Sequence, residues 1–73
     1  MLHGSRDPEG DLHDTLDEAE ARLEEAAEWL ERAGAAAHRL GQPPEVTRHL
    51  IAVHGGVSET LRHLREVRRQ HHV

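Results

Sequence analysis

Residues 39–46 read RLGQPPEV, and this stretch decides whether the chain is one long helix or two. Gly41 suits the position just past a helix C-terminus, where a left-handed residue is wanted and glycine carries no Cβ penalty. Pro43 and Pro44 follow. Proline cannot extend the helix before it, yet its fixed φ fits the first turn of a new one. The sequence predicts a helix ending at residue 40, a turn over 41–43 and a second helix from residue 44.

Upstream of the turn, Leu12, Leu16, Ala19, Leu23, Ala26, Leu30, Ala33, Ala37 and Leu40 recur at alternating intervals of four and three. That is the heptad pattern of a helix with one apolar seam, and it predicts a helix over 12–40. Asp11 or Asp14 is placed to cap its start, and the acids of the first turns suit the positive end of the helix dipole. Residues 1–10, with Gly4, Ser5, Pro8 and Gly10, show no period and read as a flexible leader.

Downstream, Val46, Leu50, Val53, Val57, Thr60, Leu64, Val67 and His71 keep the same intervals, and predict a helix over 44–70. Within it Glu45, Arg48, His49, Leu50 and Val53 recur fourteen residues later as Glu59, Arg62, His63, Leu64 and Val67. Fourteen is two heptads, so the repeat is first a packing register. Gly55-Gly56 interrupts it at a cost of roughly 2 kcal/mol of helix propensity. Because the phase is the same on both sides, one continuous helix is expected. The alternative is a break there, with Ser58 capping a third helix.

Folded back at the turn, the two seams pair Leu40 with Val46, Ala33 with Val53, Ala26 with Thr60, Leu23 with Leu64 and Ala19 with Val67. Glu20 then lies near Arg68. The expected fold is all-α: an antiparallel helical hairpin with a heptad seam, one domain over 11–73. Ala27, Trp29, Ala36, Ile51 and Leu61 lie outside the strict seam and widen its apolar face. A wider face calls for more helices, and two hairpins paired as a C2 dimer form a four-helix bundle. Ala26, Trp29, Leu30, Val53, Val57 and Leu61 are the expected contact residues. Trp29 falls opposite Gly56, so its indole is expected over the glycine backbone; the other reading turns it toward a partner.

Composition agrees with a need for company. Of the 73 residues 36% are hydrophobic, but nine of these are alanine and Trp29 is the single aromatic. So small a chain with so few large apolar side chains makes a thin core. Without cysteine there is no disulfide and no thiolate ligand. No apolar run has the length of a membrane span, and no basic stretch followed by an apolar one opens the chain, so a cytoplasmic protein without a membrane role is expected. Net charge is −5, but unevenly spread: eleven acids against two arginines in residues 1–31, and seven arginines against three acids in residues 32–73. Opposed segments of this kind face each other. The acidic one cancels much of the field that a nucleic acid would need.

Eight histidines suggest metal chemistry. Glu45 and His49, like Glu59 and His63, are spaced i, i+4 on one helix face, so each pair has a carboxylate and an imidazole in reach of one zinc, nickel or copper ion. Along a helix the two pairs stand about 21 Å apart, too far for one site within a chain. His13, Asp17, His71 and His72 are brought to the same end of the hairpin. Enzymatic readings find little support. Ser5 and Ser58 have no nucleophile context, there is no glycine-rich phosphate loop, and the acids of the first helix read as a solvated face. The expected function is a non-enzymatic interaction or oligomerisation module: a homodimer, or a groove that takes a partner helix. The alternative is a metal-binding bundle using Glu45, His49, Glu59 and His63.

Overall fold

A computed structural model describes residues 8–71. The described chain is two helices, α1 (Pro8–Arg39) and α2 (Pro44–His71), packed side by side as an antiparallel hairpin, with no strand among the described residues.

The turn forms as its residues dictate. Gly41 takes a left-handed φ of 67°. Its amide donates to the His38 carbonyl at 3.1 Å, and the Gln42 amide donates to the Ala37 carbonyl at 3.0 Å. These two bonds are the Schellman closure, and they satisfy carbonyls that the helix end would leave open. His38 and Arg39 place basic groups in the last turn, at the negative end of the dipole. Pro44 opens α2, and the Val46 amide donates to the Pro43 carbonyl at 2.9 Å. Helix α1 begins earlier than its seam implies. Pro8, well suited to a first turn, starts it, so residues 8–10 are helical rather than part of a leader. The rest of that leader lies outside the described residues.

Helix α2 runs unbroken through Gly55-Gly56, so the three-helix alternative is not what forms. The Thr60 hydroxyl donates to the Gly56 carbonyl at 2.9 Å. In α1 the Thr15 hydroxyl does the same to the Asp11 carbonyl at 2.8 Å.

The packing line on α2 differs from the expected one. The positions shielded by α1 are Thr47, Leu50, His54, Val57, Leu61, Leu64 and Arg68. Leu50, Val57 and Leu64 are common to both lines. Val46, Val53, Thr60 and Val67, expected inside, are exposed. Leu61, expected outside the strict seam, is with Ala37 one of the two buried residues among those described, each 6% exposed. The physical reason is that α2's apolar stripe is wider than one contact, so its flanks compete. One flank offers valines. The other offers the larger Leu61 together with Arg65 and Arg68, which reach the acids of α1.

No side chain among the described residues is fully buried. The hairpin measures 55 × 26 × 13 Å. Its thinnest dimension is about one helix diameter, so it is a single layer with both faces open.

Candidate interaction surface

The two broad faces of the layer differ in chemistry. One is laced by ion pairs between the helices. Arg65 Nε donates to Glu20 at 2.9 Å and its Nη2 donates to Glu24 at 2.5 Å. Arg68 bridges Asp17 and Glu20, which places Glu20 beside Arg68 as folding the two helices back at the turn predicts. Nearer the turn, His54 Nε2 lies 3.3 Å from Glu31. Glu20 sits at the centre, its side chain 18% exposed. Hydrogen bonds from Arg65 and then Arg68 hold its carboxyl below the usual carboxylate range. The same bonds to Glu20 and Glu24 raise the already high pKa of Arg65.

The opposite face carries an apolar stripe, bordered at its outer edges by Arg22 on α1 and by His49 and His63 on α2. Ala19, Ala26 and Ala33, half covered, form its stripe on α1, with Leu12 and Leu40 at the ends; Val46, Val53, Thr60 and Val67 form it on α2. Helical periodicity places these on the flank away from Arg65 and Arg68. Leu12 is 39% exposed, Leu40 74%, Val46 36%, Val53 51% and Val67 42%. Trp29, 59% exposed, stands at the outer edge of the α1 stripe, one turn from both Ala26 and Ala33. The Arg32 guanidinium lies 4.8 Å from its ring centroid, within cation–π range. Ile51 is the one large exposed apolar side chain of the other face among the described residues. It borders a shallow groove with Leu30, Gly34 and His54, floored where Gly34 lacks a side chain.

The six expected contact residues divide. Leu61 is buried between the two helices, and Leu30 and Val57 are half-buried. Ala26, Val53 and Trp29 belong to the apolar face. The expected intrachain contact of Trp29 with the glycines does not form: nothing lies within 4 Å of where a Cβ would stand on Gly55 or Gly56. Trp29 and Gly56 leave the layer from different helices, pointing out rather than across.

Of the two Glu–His pairs, Glu59 and His63 close to 3.4 Å, both exposed; Glu45 and His49 are exposed as well. No group of three or more metal-capable side chains gathers among the described residues. His72, needed for the cluster at the open end, lies outside the described residues, and His13 there lines a shallow pocket with Glu20 and three arginines. Sequence reading missed His54 and Arg65 as cross-helix partners. The available signal was the line Thr47, His54, Leu61, Arg68, which has heptad spacing but little apolar character.

The chain matches no family model, no curated protein and no solved structure. No described helix is long and apolar enough to cross a membrane.

Proposed function

We propose that this chain is a non-enzymatic self-association module, in which two hairpins pair through their apolar faces into a dimeric four-helix bundle. The observation that carries the reading is the segregation of exposed side chains. Leu12, Trp29, Leu40, Val46, Val53 and Val67 collect on one face, while the interhelical ion pairs occupy the other. Area supports it. The chain leaves 5804 Å² accessible, against roughly 4,500 Å² for a compact monomer of this mass. The surplus exceeds the roughly 800 Å² per partner of a standard interface. Heptad spacing on both stripes suits knobs-into-holes packing of four helices.

The test is native mass spectrometry of the purified chain across a concentration series. Val53→Asp puts a charge on the apolar face at a residue the hairpin does not bury, and should leave only monomer. Ile51→Asp, on the ion-pair face, should leave the dimer intact. A wild-type chain that stays monomeric at high micromolar concentration overturns the reading. A dimer that forms only with zinc, nickel or copper, and dissociates in EDTA, would replace it with the metal-binding one.

A further inference from the structure

We infer that in this dimer Trp29 of each subunit packs on the bare backbone at Gly55-Gly56 of the partner subunit, with the two-fold axis parallel to the helices. The inference rests on the self-association reading and specifies its geometry.

Two glycines within a continuous helix are costly, and nothing in the hairpin uses the space above them. A large indole stands in water on the other helix. Their positions correspond. Trp29 sits beside the α1 stripe, three residues after Ala26 and four before Ala33. Gly56 sits beside the α2 stripe, three residues after Val53 and four before Thr60. Each therefore projects from the apolar face toward its own outer edge. The cross-helix pairs Glu20–Arg65, Glu24–Arg65, Glu20–Arg68 and Glu31–His54 fix the register of the hairpin. By that register Trp29 stands about level with Gly56 and Val57.

Apolar faces meet under a two-fold axis in two ways. An axis across the helices lays α1 on the partner's α1 and α2 on the partner's α2. An axis along the helices keeps every residue at its own height and lays α1 on the partner's α2. The second arrangement places Trp29 over Gly56 of the partner subunit, and by symmetry does so twice. Ala36, one heptad on from Trp29, then stands level with the partner's His49, again small against large.

Charge selects the same arrangement. Helix α1 carries ten acids and three arginines; α2 carries five arginines and three acids. Stacking α1 on α1 brings two strongly acidic helices together. Stacking α1 on α2 gives every helix neighbours of opposite sign and opposite direction.

The experiment uses the single tryptophan as reporter and Gly56→Gln as the perturbation, with sedimentation equilibrium for the dimer constant. In the wild type, Trp29 emission should shift to the blue as dilute monomer assembles. Gly56→Gln has open space in the hairpin and a better helix former, so it should raise monomer helicity. It should also weaken the dimer at least tenfold and return Trp29 emission toward the exposed value. Gly34→Ala removes a similar helix penalty away from the apolar face, and should leave the dimer constant unchanged or tighter. A dimer that tolerates Gly56→Gln with unchanged affinity and emission overturns this geometry while leaving self-association standing. A wild type with no dimer overturns both.

Discussion

At the scale of single residues, Glu20 and the glycines show most clearly how local chemistry sets the hairpin. Glu20 accepts hydrogen bonds from two arginines of α2, and its carboxyl is held below its ordinary value. A carboxylate whose folded pKa is depressed contributes stability that is present above its unfolded value. That contribution is lost as pH falls through the folded one. Wild-type thermal stability should therefore drop as pH falls from the usual carboxylate range toward 3. Glu20→Gln should lower the midpoint at pH 7 and flatten that drop, which circular dichroism melts at pH 7 and pH 3 would show. An equal acid dependence in wild type and variant would mean that Glu20 is not the group responsible. Gly34 and Gly41 should respond oppositely to alanine. Gly34 is helical with open space around it, so Gly34→Ala should stabilise by about 1 kcal/mol. Gly41 is left-handed, so Gly41→Ala should destabilise by about 1 kcal/mol. Urea denaturation of the two variants beside the wild type reads both signs.

At the scale of the helices, much was legible in the order of residues. The Gly41-Gln42-Pro43-Pro44 stretch marks the turn because each of its residues has a backbone preference that a helix interior does not share. The constant phase across Gly55-Gly56 marks α2 as one helix, and α2 is one helix. The rotation of α2 was not legible, and the reason is specific. A period of 3.5 locates an apolar stripe but not which of its flanks a lone partner covers. Counting apolar side chains chose Val46, Val53 and Val67. The folded pair instead covers Leu61 and brings Arg65 and Arg68 to the acids, a choice made by side-chain size and charge across the gap. Leu61→Ala should destabilise the hairpin by about 2 kcal/mol, the low end for a buried leucine because the core is thin. Val67→Ala should change hairpin stability by less than about 0.5 kcal/mol. Both are read by chemical denaturation at dilutions where the chain is monomeric. The reverse order of effects would restore the valine line as the intrachain contact.

At the scale of the whole molecule, a layer about one helix thick cannot bury both sides of itself. The ion pairs make one side comfortable in water, and the valines, leucines and tryptophan make the other a poor surface to leave wet. The thin core and lone aromatic raise the expectation of a partner from sequence. The sequence did not show which face would be left over, because that depends on how α2 turns against α1. The same turn removes Trp29 from its own chain's glycines and leaves both exposed. Self-association through this face is the proposal on which the Trp29–glycine geometry depends. Its most direct measurement is the mass of the chain in solution at high micromolar concentration, for wild type, Val53→Asp and Ile51→Asp. A dimer, a helical monomer and a dimer are expected, in that order. A wild-type monomer, or a Val53→Asp dimer as tight as the wild type, would contradict the proposal.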